Sequence, residues 1–323
     1  MMLSKSLVAI ALSCSAVFAA SESIAQAYPS RPIKLVLGFG PGGGADGIAR
    51  LYAAELQKQL DTPVYVENKS GAYEQIAGRT IQTASPDGYS LWLATTGGVI
   101  QAPLMREMPY DPKKDFTHIG VIAEADAVLA VKNDFPIKTI DELVNYARAH
   151  PNTINFGSAG TGAPSHLLVE YIQSLTNIQM THIPYKSAGD VVRELVAGNI
   201  DFAVAVPASA APLIKAERIK GIAITAKERL ASLPELPTLE EGSIPELKGM
   251  SVYAFYAILG PAGMPPEVTE KLNKAFNRIS SLPEIRQRAV EMNFRPVTGT
   301  SQEFTSRIDQ ELITWSEVAK RIK

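Results

Sequence analysis

The sequence predicts an α/β protein of two units, each a parallel sheet flanked by helices. Three observations carry this. Short β-rich runs alternate with helical patterns along most of the chain, the order that lays helices across parallel strands. The runs open repeatedly into turns of Gly, Ser, Thr and Ala rather than into tight hairpins. The 323 residues, 46% hydrophobic and 20% charged, are ample for two buried cores.

In chain order, Ile33 to Phe39 is β-rich and enters Gly40-Pro41-Gly42-Gly43-Gly44. A helix follows near Asp46, with Ile48, Leu51, Tyr52 and Leu56 at helical spacing. Pro63 to Asn68 is a second strand, and Ser90 to Ala94 a third after the turn Ser85-Pro86-Asp87-Gly88. Strand Ala127 to Lys132 precedes a helix from Thr139 to Ala149, with Asp141 and Glu142 in its first turn. Further strands are expected at Ile154–Phe156, Met180–Ile183, Phe202–Val206 and Gly221–Thr225. The Pro-, Glu- and Gly-rich stretch from Lys227 to Gly249 reads as a connection, and Val252 to Leu259 as a strand. Three helical segments close the chain: Pro266–Leu282, Pro283–Met292 and Thr300–Lys323. Two crossings between units explain this order, with one domain at 28–126 plus 229–323 and the other at 127–228.

The N-terminus reads as a secretory signal peptide: Lys5, an apolar run from Leu7 to Ala20, and the small-x-small site Ala25-Gln26-Ala27. Cleavage near Ala27 removes Cys14, the one cysteine, so the mature chain has no disulfide or thiolate chemistry. It also leaves no apolar run long enough to insert in a membrane. A balance of 31 Lys+Arg against 33 Asp+Glu, with no basic cluster, argues against a nucleic-acid partner.

Five small-residue loops follow predicted strands: 40–46, 95–98, 157–162, 186–190 and 207–209. In open α/β sheets, ligands bind outside the carboxyl ends of the strands. Loops that enter helix N-termini offer N–H donors to anions, and glycine lets a ligand approach the backbone. Gly38-Phe39-Gly40-Pro41-Gly42-Gly43 also fits G-x-G-x-x-G, with Glu67 at the end of the next strand. Pro41 removes a donor from such a cradle, and no Lys-Ser/Thr follows for a P-loop. No G-x-S-x-G elbow occurs, and the four histidines lack metal-ligand spacing. His166 is a candidate either for ligand contact or for a local structural hydrogen bond. Lys186 is a candidate anion partner or a solvated cation. Tyr73 reaches a cleft or lies on the surface. Trp92 and Trp315 read as core.

At these loops the chain resembles the periplasmic solute-binding proteins of tripartite tricarboxylate transporters, the Bug receptors. The resemblance runs through Tyr28-Pro29-Ser30-Arg31-Pro32-Ile33, Pro41 to Asp46, Val66-Glu67-Asn68, Pro86-Asp87-Gly88-Tyr89 and Pro109-Tyr110-Asp111-Pro112. It continues in Asn155 to Gly160, Ile183-Pro184-Tyr185-Lys186, Leu233-Pro234 with Pro237-Thr238, and Leu259 to Gly263. It implies a two-lobed periplasmic-binding-protein fold, type II-like, each lobe a doubly wound, mostly parallel sheet. It implies a monomeric periplasmic receptor without cofactor or metal. This receptor would capture a small carboxylate between its lobes and deliver it to the transporter's membrane subunits, or report it to a sensor. One carboxylate would be held by the first lobe through Phe39, Gly40, Gly43, Gly44, Ala45 and Asp46, with Thr95 and Thr96. The second lobe would add Ser158, Gly160, Thr161, Tyr185, Lys186, Ser187, Ala205, Pro207 and Ser209. Tyr73 and His166 join the site as candidates.

Three departures bear on the ligand. Ala45 stands where the family commonly has Thr, and Tyr73-Glu74-Gln75 where it has Gly-Gly-Asn. Ala205-Val206 replaces an Asp-Asn pair, which removes the natural partner of an ammonium and suits an acid with an apolar body, a dicarboxylate or an aromatic carboxylate. The alternative from another class is an exported α/β enzyme acting on a small organic acid, against which the loops lack a nucleophile–base pair.

Overall fold

The structure, a computed structural model, describes residues 28–248, 250 and 254–322. The expected signal peptide and its cleavage site lie outside the described residues. The strands form two sheets, one of six strands and one of five.

The chain builds most of the first sheet, then the whole second sheet, then returns. The first pass comprises β1 (Ile33–Leu37), α1 (Gly44–Leu60), β2 (Val64–Asn68), α2 (Gln75–Gln82) and β3 (Ser90–Thr95). A π-helical turn at Gly97–Gln101 runs into α3 (Ala102–Met105), and β4 (Phe116–Ala125) leads out. The second sheet follows: β5 (Val128–Lys132), α4 (Ile140–Ala149), β6 (Asn155–Ser158), α5 (Pro164–Thr176), β7 (Thr181–Pro184), α6 (Ala188–Ala197), β8 (Phe202–Ala205), α7 (Pro207–Lys215) and β9 (Ile219–Ile224). Then β10 (Ala254–Pro261), α8 (Pro266–Ser281), α9 (Pro283–Glu291), β11 (Arg295–Pro296) and α10 (Ser301–Ile322) complete the first unit.

The two-unit α/β architecture is as expected, but the sheets are mixed rather than mostly parallel. β1 pairs in parallel with β2 and β3, whereas β10 lies antiparallel between β3 and β4. In the second sheet β6 is parallel to β7 and β8, and β5 is antiparallel to β8 and β9. The reason is the crossing. The chain leaves the first unit along β4 and re-enters it along β10, so the two neighbouring strands must run in opposite directions.

Two strands escape sequence reading. β4 carries Thr117, His118 and Glu124 among its apolar residues, so no clean alternation marks it. His118 is nonetheless buried, with its ring nitrogens at 2.8 Å from the Pro112 carbonyl and 2.9 Å from Thr305 Oγ1. β11 is two residues long and is defined by its pairing with β4. The first helix begins at Gly44, two residues before Asp46, because Gly43 is still extended and serves as its N-cap.

The predicted apolar stripe of α1 faces the core: Ile48, Leu51, Tyr52 and Leu56 are buried. Tyr52 keeps its hydroxyl satisfied by donating to the Ile122 carbonyl at 2.8 Å, with Ser280 Oγ also at 2.8 Å. Trp92 and Trp315 are both core residues. Trp92 packs with Tyr110 and Phe116 at centroid separations of 5.6 and 5.4 Å, favourable aromatic geometry. In the second unit Leu129, Phe156, Leu168, Ile172 and Phe202 share one core. α5 also reaches the first unit: Leu167 is buried in its core, and Tyr171 lies 5.4 Å from the Trp315 ring on α10.

The aromatic cluster leaves no room at Gly78 on α2, where a Cβ would overlap the Tyr110 ring. Tyr110 is fixed in turn by donating its hydroxyl to the Gly98 carbonyl at 2.9 Å. Gly78→Ala is therefore expected to destabilise the protein by about 1–3 kcal/mol, the range for overpacking, despite the higher helix propensity of alanine. Urea denaturation checks it, and a variant as stable as the wild type contradicts the packing described.

Candidate functional site

The two crossings decide where the loops face. In the first sheet Thr95 at the end of β3 pairs with Tyr256, and Ala125 at the end of β4 pairs with Ala254. The carboxyl ends of β1 and β3 therefore share an edge with the point where the chain leaves and returns. In the second sheet Val128, the first residue of β5, pairs with Ala205 at the end of β8 and with Ile224 at the end of β9. The ends of β6, β7 and β8 thus lie at the edge where the chain enters. The five small-residue loops, after β1, β3, β6, β7 and β8, thus lie at the sheet edges where the chain crosses between the two units. Two hydrogen bonds tie the crossings together: Thr225 N–H donates to the Ala127 carbonyl at 3.0 Å, and Ala127 N–H donates to Thr225 Oγ1 at 2.9 Å.

In the first loop Phe39 is partly exposed, and Gly40 and Gly43 face open space, since a Cβ on either meets nothing within 4 Å. Gly44 lies against the Phe294 ring, and Ala45 is buried. Asp46 is placed differently from a ligand-facing residue. It is buried, and its carboxylate accepts from Gly42 N–H at 3.0 Å, Arg50 Nε at 2.9 Å and Asn68 Nδ2 at 2.9 Å. Arg50 above all, helped by Asn68 and Gly42, holds the Asp46 carboxyl down to about 2 against the opposing effect of burial. Asp46 thus shapes the loop, and Asn68 also donates to the Phe39 carbonyl at 2.9 Å. The first-turn N–H groups of α1 remain without intrahelical acceptors and are the loop's free donors.

At the end of β3, Thr95 and Thr96 are both buried. Thr96 Oγ1 accepts from Phe255 N–H at 2.8 Å, which ties this loop to the returning crossing. Thr95 is engaged by Glu74, a residue that sequence reading flagged only as a departure. Thr95 Oγ1 donates to Glu74 Oε1, Thr95 N–H to Oε2 at 3.3 Å, and Gly98 N–H to Oε1 at 3.1 Å. Ala72, Tyr73 and Glu74 have φ of 47, 55 and 69°, a left-handed run that turns the Glu74 side chain inward. Tyr73 is instead about half exposed, with the Arg106 guanidinium 3.7 Å from its ring centroid.

In the second unit Ser158 is buried below its loop. Its hydroxyl donates to the Gly160 carbonyl at 3.0 Å and lies 2.6 Å from His182 Nε2. Gly160 has φ of +112°, and Thr161 is exposed on the turn. His166 is buried and accepts from Gly162 N–H at Nδ1, 3.0 Å away, so of its two expected roles it takes the local structural bond. Its ring stacks on His182 at 3.8 Å. Burial, with His166 alongside, pulls His182 down to about 4, so at neutral pH it supports the loop as a neutral ring. Tyr185 is partly buried and its N–H donates to the Ser158 carbonyl at 2.8 Å. Lys186 is exposed and pairs with no carboxylate among the described residues. Ser187 caps α6 by accepting from Asp190 N–H. Ala205 and Pro207 are buried and Val206 is exposed, while Ser209 donates to the Val206 carbonyl at 3.0 Å. Met105 of the first unit reaches across to Gly162, where a Cβ would lie 3.3 Å from its methyl.

Glu74 gives the site a pH signature. Burial pushes its carboxyl up to about 8 despite the Thr95 and Gly98 donors, with Tyr110 and Tyr256 the neighbouring titratable groups. A carboxyl raised in the fold contributes stability below its ordinary range near pH 4, and that contribution is lost as pH rises towards about 8. Urea midpoints between pH 4.5 and 8.5 should fall more steeply for the wild type than for Glu74→Gln. Parallel curves would contradict this.

Comparison with known proteins places these loops in a family. The sequence profile described as Tripartite tricarboxylate transporter family receptor matches residues 48–323. A UPF0065 protein of Bordetella pertussis is 34% identical over 297 residues, covering 91% of this chain and 90% of its own. Among solved structures, Rpa4515 of R. palustris with adipate superposes with a TM-score of 0.75 at 29% identity, covering 91% of this chain and 98% of its own. MatC from Rhodopseudomonas palustris with bound malate gives 0.71 at 28% identity, covering 90% and 100%. The family consists of solute-binding receptors, not enzymes. With the matched profile spanning most of its length and both sheets superposing on such receptors, the chain belongs to the tripartite tricarboxylate transporter receptor family.

Proposed function

We propose that the protein is a periplasmic receptor that captures a small carboxylate between its two units and delivers it to the membrane subunits of a tripartite tricarboxylate transporter. The observation that carries this reading is the convergence of five donor-rich, small-residue loops on the edge where both crossings lie. The units at 28–126 plus 229–323 and at 127–228 act as lobes hinged at those crossings. The first-turn N–H groups of α1, the Ser158–Thr161 turn and Lys186 supply donors and positive charge, which match an anion. Adipate and malate in two relatives support the ligand class. Buried Ala205 and exposed Val206 offer an ammonium no counter-charge, which favours acids with an apolar body, aliphatic or aromatic, over amino acids. Among the described residues no helix is long and apolar enough to cross a membrane.

Calorimetry with aliphatic and aromatic mono- and dicarboxylates, their amides, and aspartate and glutamate tests this reading. Two charge-assisted hydrogen bonds at about 1.5–3 kcal/mol each make an acid about a thousandfold tighter than its amide. Equal affinity for acid and amide, or tight binding of an amino acid, would sink the reading.

Gly43 gives a second test. Its φ is −83° and a Cβ there meets nothing, so Gly43→Phe leaves the fold intact while placing a ring among the donors of α1. The expected result is an unchanged melting temperature and affinity reduced at least tenfold. Native affinity would remove this loop from the site.

A further inference from the structure

Glu74 is a buried titratable group whose position between the loops has a consequence for the ligand. Its side chain lies between the ends of β1 and β3. A Cβ on Gly38 would sit 2.5 Å from its Cγ, and one on Gly98 would sit 3.0 Å from its Cβ. Two glycines therefore make the slot that this side chain fills. Its carboxyl takes the N–H and hydroxyl of Thr95 and the N–H of Gly98, buried donors at the carboxyl end of β3. Three successive left-handed residues, none of them glycine, hold it there, and such strain persists only where the surroundings impose it.

We infer that Glu74 is a specificity-determining residue, a built-in carboxyl that occupies one anion slot of the first lobe and restricts the receptor to ligands with a single carboxylate. The inference rests on the carboxylate-receptor reading and narrows it. A monoacid uses the donors that remain, at the first turn of α1 and at Lys186. A diacid that turns its second carboxylate towards the first lobe meets Thr95 and Gly98 donors that are already taken. Desolvating that second charge without donors is unfavourable. The effect comes from occupancy, so a neutral side chain of the same size preserves it and a glycine removes it. Glycine also suits the φ of +69° at this position.

The test is calorimetry on the mature chain with two matched pairs, adipate against hexanoate and terephthalate against 4-methylbenzoate. The wild type should bind the monoacid of at least one pair, at least tenfold tighter than its diacid. Glu74→Gln should keep that ratio, and Glu74→Gly should shift it at least tenfold towards the diacid. Melting temperatures verify that the variants fold, and the wild-type ratio decides the matter even if Glu74→Gly does not. Tighter diacid binding by the wild type, an unchanged ratio in a folded Glu74→Gly, or Glu74→Gln behaving like Glu74→Gly would overturn the inference while leaving the receptor reading standing. No binding of any of the four acids would overturn both.

Discussion

The antiparallel pairing of β4 with β10 is the constraint on which the rest of the structure depends. It is where the chain leaves one sheet and comes back to it. Because the two strands are neighbours, a single edge of the first sheet carries the exit, the return and the carboxyl ends of β1 and β3. The same logic applies in the second sheet through β5 and β9. In the function proposed, each sheet supplies half of the site. The crossings lie at those edges of both sheets, and the Ala127–Thr225 bonds fasten them as a pair.

Around that frame, much of the polar chemistry in the loops is internal. Asp46 holds Gly42, Arg50 and Asn68, Thr96 holds the start of β10, and His166 holds Gly162. These buried polar groups are satisfied within the protein, so the loops keep their shape without a ligand. What remains for recognition is backbone N–H groups, exposed small residues and the exposed Lys186. Apart from Lys186, a site of this kind reads charge and shape through a fixed framework, which limits the entropy lost on binding.

Much of this was legible in the sequence. Alternating β-rich runs and helices located the strands after which the loops lie, and small residues after those runs marked the loops themselves. The spacing of Ile48, Leu51, Tyr52 and Leu56 identified the buried face of α1. What stayed hidden was long-range. β4 is defined by pairing with β10, far away in sequence, and its His118 and Glu124 are tolerated in the core because residues as distant as Thr305 and Arg307 meet them. The antiparallel insertions could not be read from a local pattern that suggests parallel sheets. Asp46 and His166 stood out as loop residues, but their hydrogen-bond partners, which make them supports, follow only from the geometry. Glu74 was visible in the sequence only as part of a departure, Tyr73-Glu74-Gln75 in place of the family's Gly-Gly-Asn. Its burial depends on Gly38 and Gly98, which no spacing rule connects to it.

In the function proposed, the ligand lies between the lobes and draws them together. The absence of cysteine after residue 27 allows spin labels to be attached at Ala54→Cys on α1 and Ala197→Cys on α6, both exposed and on different lobes. Hinge closure of a two-lobed receptor shortens such a separation. Double electron–electron resonance should show a shorter and narrower distance distribution when a bound carboxylate saturates the protein. An unchanged distribution at saturation would contradict a site shared by the two lobes.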